Sequence, residues 1–133
     1  MSFDALMIGR CLACGFFAVL FIQSGIDKVV DYKGNLAWLT PHFANSPFKS
    51  SVPILLRMLT VLELMSGVMA AIAIVGIMVK GQPWLPAAAI CLCGFTLVCL
   101  FAGQRIAKDY AGAASLAAYF SAFLIALFLI AGV

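Results

Sequence analysis

Charge is what this sequence has least of. Only 10% of its 133 residues are Asp, Glu, Lys or Arg, against 65% hydrophobic, and the mean hydropathy is +1.16. No soluble core of this size hides that much apolar surface, so lipid must cover most of it. Eight Lys and Arg against five Asp and Glu leave a formal charge of +3. These cations are too few and too scattered for a nucleic-acid face, which excludes nucleic acid as a partner and makes them topological signals. Histidine occurs once, at His42, which excludes the paired axial ligands of a b-type haem. A Gly-rich phosphate loop, a nucleophile elbow and a zinc-protease motif are all missing. The sequence offers no self-contained active site, so it does not read as an enzyme on its own. It assigns no catalytic residue, no metal ligand and no covalently bound cofactor.

What is present is apolar sequence in long runs. A bilayer crossing takes about 20 apolar residues at 1.5 Å rise each, so the chain reads as one transmembrane domain, residues 1–133, of four crossings. The expected fold is all-α, an integral membrane four-helix bundle with helices at about 5–26, 54–79, 84–102 and 113–132. One long interfacial loop joins the first two. Arg10 follows apolar residues, and Cys14 lacks the charged region that precedes a lipoprotein cysteine, so the first run is expected to be a retained helix. Asp27, Lys28, Asp31 and Lys33 close it. The loop carries Trp38, His42 and Phe43 among prolines, and a short helix near Asn35–Leu39 in the headgroup layer is expected there. Ser51 is the expected N-cap of the second crossing, with Pro53 in its first turn. In the last crossing, Ala114, Ala118 and Ala122 and the row Ala113, Ala117, Ser121 place small residues four apart, a face expected to be buried against a neighbour.

Lys28, Lys33, Lys49, Arg57, Arg105 and Lys108 fall on one surface, against Lys80 and Arg10 on the other. The positive-inside rule then places both termini outside and the charged loops in the cytoplasm.

Ionisable groups inside a crossing need a reason, since an unpaired one costs about 2.5–3.5 kcal/mol on translocon scales. Glu63 lies about ten residues into the second crossing, roughly 15 Å deep and near the midplane. At that depth Gln23 is the expected hydrogen-bond partner, and Arg57, level with Asp27, is expected to pair with it. With Gln104, Arg105, His42 and Trp38 arriving at the same surface, these groups outline a polar pocket for a quinone or lipid headgroup. The structural reading of the same residues is that they lock helix packing. Cys11, Cys14, Cys91 and Cys93 enter at similar depth. Thiol chemistry is one reading of them, but two residues two apart diverge around a helix, and buried small side chains are the simpler account.

Two segments, FIQSGIDKVVDYKGNLAWL (Phe21–Leu39) and VLELMSGV (Val61–Val68), and the polar turn before the last crossing resemble the DoxX-like family. The family pattern is Gly, two residues, Lys at the end of the first helix, matched by Gly25 and Lys28, and an acidic residue followed by Gly in the second, matched by Glu63 and Gly67. The resemblance implies a four-helix protein of the bacterial or archaeal plasma membrane, with these four residues as structural signatures. The family is named for a small subunit associated with a terminal quinol oxidase and with thiosulfate:quinone oxidoreduction. The leading expectation is therefore an accessory, non-catalytic subunit of a respiratory membrane complex, with lipid and other subunits as partners and quinone as the ligand to test. The alternatives are a direct component of a quinone-linked oxidoreductase, such as thiosulfate:quinone oxidoreductase, and a small transporter or lipid-handling protein. The HFANSPF segment (His42–Phe48) marks a variant branch.

Overall fold

Hydrocarbon offers no partner to a backbone N–H or C=O, so an apolar run that enters a membrane must satisfy its own backbone, and the α-helix does this within one segment. The computed structural model describes residues 4–131, and these form five helices and no strand: α1 (Ala5–Val30), α2 (Tyr32–His42), α3 (Val52–Met78), α4 (Trp84–Ile106) and α5 (Tyr110–Ala131). All but α2 are long and apolar enough to cross a membrane. The chain is a multi-pass membrane protein.

α1 and α4 overrun their expected ends, and α3 and α5 begin before their expected starts. α1 continues through Asp27 and Lys28 to Val30, because Lys28 bonds inside the protein and does not have to end the helix at an interface. α4 reaches Ile106 and α5 starts at Tyr110, which shrinks the expected polar turn to residues 107–109. Residue 132, the expected end of the last crossing, lies outside the described residues.

The expected long loop is largely helical. Asp31 ends α1 by donating its N–H to Asp27 O (2.9 Å) and starts α2 by accepting from the Gly34 N–H on Oδ1 (3.2 Å). A Cβ on Gly34 would strike that carboxylate. Asp109 and Gly112 repeat the device at the start of α5, with the Gly112 N–H 3.1 Å from Asp109 Oδ1. Irregular chain is left only over residues 43–51, where Phe43 is buried with Val52 and Ala107 and packs on Leu36 and Leu39. Ser51 occupies the N-cap of α3, but its side chain makes no capping bond.

Two lysines carry backbone strain. Lys80 (φ 54°) and Lys108 (φ 59°) stand in the left-handed conformation just past α3 and α4. In each case the next residue closes the turn: the Gly81 N–H donates to Gly76 O and the Asp109 N–H to Gln104 O, both at 2.9 Å. Glycine is the usual occupant, and a side chain there costs roughly 1–2 kcal/mol. A cation beside the negative end of the helix offsets part of this.

α1 and α3 share the largest interface, followed by α4–α5 and α3–α4, while α5 touches α1 only lightly. The core mixes very small and very large side chains: Ala70, Ala73 and Ala89 are fully buried, beside Phe17 and Phe21. Phe123 of α5 sits against Gly94 of α4, where any Cβ would collide with its ring. That seat fixes the rotation of α5, which turns Phe123, Ala126 and Ile130 inward. As a result the small-residue face is mostly outward in the isolated chain: Ala113 is buried, but Ala114, Ala117, Ala118 and Ser121 are exposed. Between α3 and α4, the buried Ser66 and Thr96 hydroxyls meet at 2.6 Å, and each also reaches its own i−4 carbonyl.

Replacing Lys108 by Gly removes strain and an exposed cation only. Lys108→Gly is expected to raise stability in detergent by up to about 1 kcal/mol, read as a higher unfolding temperature; a lower one would mean that the lysine charge outweighs the strain.

Candidate functional site

The residues that set this site share one helical face each. On α1, Ser24, Gly25 and Lys28 stand at i, i+1 and i+4; on α3, Glu63 and Gly67 stand at i and i+4. Glu63 is fully buried. Its Oε1 accepts from the Ser24 hydroxyl at 2.9 Å, and Lys28 Nζ lies 3.0 Å from Oε2 and donates to Ser24 Oγ at 2.9 Å. The Lys28–Oε2 contact lies off the line of a well-directed hydrogen bond, so it acts as an ion pair in kind. The three side chains form a closed triangle of charge and hydroxyl.

The glycines let the triangle close. A Cβ on Gly67 would fall 2.5 Å from Ile22 Cγ1 and 2.8 Å from the Ile22 backbone N, so the α1 backbone itself occupies the space. At Gly25 the nearest atoms are the flexible end of Leu64, at 2.6 and 2.7 Å, with the Leu64 backbone N at 3.4 Å. The four residues of the family pattern, Gly25, Lys28, Glu63 and Gly67, thus lie in one α1–α3 contact.

The expected partners differ from the observed ones. Gln23 is exposed and makes no contact with Glu63. Adjacent helix positions are 100° apart, and the inward position belongs to Ser24. Asp27 and Arg57 are exposed and do not pair; among the described residues, Lys28–Glu63 is the one ion pair. Arg57 instead lies 5.7 Å over the Tyr32 ring, and Arg105 lies 4.8 Å over Tyr110. Trp38 and His42 stack on each other at 3.9 Å on α2, with His42 Nδ1 2.6 Å from Trp38 O. Gln104 is half-buried beside Gly112. The Glu63 carboxylate is sealed, with no solvent exposure.

No family model, curated protein or solved structure matches this chain. The likeness to the DoxX-like pattern therefore rests on the residues quoted for it.

The cysteines are all free, and Cys14 and Cys93 lie in the core while Cys91 faces out. Two open spaces lie elsewhere. One, of about 260 Å³, is apolar and lies between α4 and α5, lined by Leu97, Val98, Phe101, Leu116, Ala117 and Phe120. The other, also about 260 Å³, sits at the opposite end of the protein from Lys28 and includes Arg10, Lys80 and the start of α4. Sequence reading missed the Ser24 contact and the Ser66–Thr96 link. Serine and threonine are common on transmembrane faces, and only the i+4 spacing from Ser24 to Lys28 hinted at a shared partner.

Removing one partner of a buried pair leaves an uncompensated charge. Lys28→Met is expected to cost about 3–5 kcal/mol, and the double change Lys28→Met with Glu63→Gln to recover most of it. Unfolding in detergent measures both, and equal losses in the single and double variants would show that the pair is not the source. Gly67→Ala is expected to destabilise more than Gly25→Ala, because the first meets backbone and the second a movable leucine; the same unfolding experiment in the reverse order would contradict the packing described.

Proposed function

We propose that this protein is an accessory, non-catalytic subunit of a bacterial or archaeal respiratory membrane complex of the quinol or terminal oxidase type. In this reading it lies in the plasma membrane with both termini outside and its charged loops in the cytoplasm. The observation that carries the proposal is the closed Lys28–Ser24–Glu63 triangle. Charges inside a membrane commonly mark a pathway or reactive site, but these are spent on joining α1 to α3. Direct participation in quinone chemistry would need a carboxylate that substrate can reach, and Glu63 is sealed. The resemblance to the DoxX-like pattern supplies the class of complex, since the same four residues make this contact.

An accessory subunit also needs a surface on which to pack. Ala114, Ala118 and Ser121 on the outer face of α5 allow another helix to approach closely. Quinone or lipid, in this account, binds away from Glu63. The apolar space between α4 and α5 suits an isoprenoid or acyl tail. Gln104 and Arg105 stand one turn beyond Phe101 on α4, about 5 Å along the axis, where a polar head would lie.

Gentle detergent extraction of native membranes followed by pull-down of this chain is expected to bring down cytochrome-containing subunits, seen by visible spectrum and mass spectrometry. Recovery of the chain alone and colourless would contradict the assignment.

A further inference from the structure

All four crossing helices contribute to the cavity at the end where α1 begins and α5 finishes. Arg10 projects from α1, Lys80 from the turn after α3, Pro83 and Pro86 from the start of α4, and Ile130 from α5. The side chains there do not balance. Arg10 spends its Nε on Leu129 O at 2.7 Å, capping the negative end of α5 and fixing the guanidinium, while its two terminal amino groups remain for another acceptor. Lys80 is exposed and, among the described residues, neither cation has an ion-pair partner. The one acid among the described residues that line the cavity, Asp4, accepts the Leu6 N–H at 3.0 Å and serves as the N-cap of α1, where the helix dipole favours its charge. The first turn of α4 faces the same space with no side-chain cap. Two cations with no ion-pair partner among the described residues, and a positive helix end, therefore converge on about 260 Å³.

We propose that this cavity is a binding site for a phosphate group, with the guanidinium of Arg10 and the ammonium of Lys80 as its charge partners. A guanidinium fixed at one end presents its remaining donors in a plane that matches phosphate oxygens, and an ammonium adds a point charge. The apolar wall formed by Met7 and Ile77 lets the glycerol and chains of an anionic lipid lead away from the site, whereas free inorganic phosphate would use only the cations. The strained backbone of Lys80 brings the cation to the cavity, although Gly81, which would take that conformation freely, is next in the chain.

The test is native mass spectrometry of the full chain in mild detergent with dioleoyl phosphatidylglycerol or dioleoylglycerol, which has the same chains and glycerol but no phosphate. The wild-type protein is expected to retain the anionic lipid about tenfold better, the size of one charge-assisted contact. Lys80→Gly is expected to lower that retention about tenfold while its unfolding temperature holds or rises, since glycine suits the position. Lys108→Gly removes the same charge from an equivalent turn at the other end and is expected to leave retention unchanged. Displacement of the anionic lipid by excess inorganic phosphate would identify free phosphate as the occupant, and resistance to it the lipid headgroup; both support a phosphate site. Equal retention of the two lipids, wild-type retention by Lys80→Gly, or an equal loss in Lys108→Gly would overturn it.

Discussion

An ionised carboxylate inside a membrane helix costs about 2.5–3.5 kcal/mol unless a partner or a proton takes up its charge. Glu63 finds Lys28 at 3.0 Å and Ser24 at 2.9 Å, both on α1. That requirement fixes the rotation of α1 against α3, since only one face of α1 carries both donors. It also fixes the spacing, because the short side chain of Ser24 reaches the carboxylate only when the backbones are close, and Gly67 permits that approach to Ile22. The largest helix interface in the protein follows from these few residues.

The remaining helices are added by milder means. α4 joins α3 through small residues and the Ser66–Thr96 hydroxyl contact, of a kind that averages about 0.6 kcal/mol in membranes. α5 joins α4 by seating Phe123 on Gly94 and receives one strong tie to α1, from Arg10 to Leu129 O. The protein therefore has one pair, α1 and α3, held by charge, and a second pair, α4 and α5, held by shape. Open space occurs beside the second pair and at the end where the pairs meet. Ligand binding away from Glu63 is consistent with this division.

The four crossings were readable from the sequence because the length and apolarity of a run are set by the bilayer, whatever its neighbours. Helix ends were less readable. Charged residues such as Asp27 and Lys28 signal an interface when they face water, and Lys28 does not. The choice of Gln23 as partner of Glu63 came from depth alone, whereas the direction around the helix selects Ser24, one residue on. The same omission paired Asp27 with Arg57, two residues that are level but face outward. The small-residue face of α5 was visible as a pattern, but its direction depended on Phe123 and Gly94, which lie 29 positions apart and show no signal until they are packed together.

The central claim is that Lys28 and Glu63 are in contact inside the folded protein. Glu63 is the sole glutamate in the chain, so a ¹³C label on glutamate side-chain carboxyls reports this one site without mutation. Solid-state NMR in lipid bilayers, with ¹⁵N on lysine Nζ, should show a dipolar coupling between Nζ and the Glu63 carboxyl carbon, which is bonded to the oxygen that lies 3.0 Å from Nζ, and should lose it in Lys28→Gln. Absence of any short-range coupling between a lysine and that carboxyl in the wild-type protein would contradict the account.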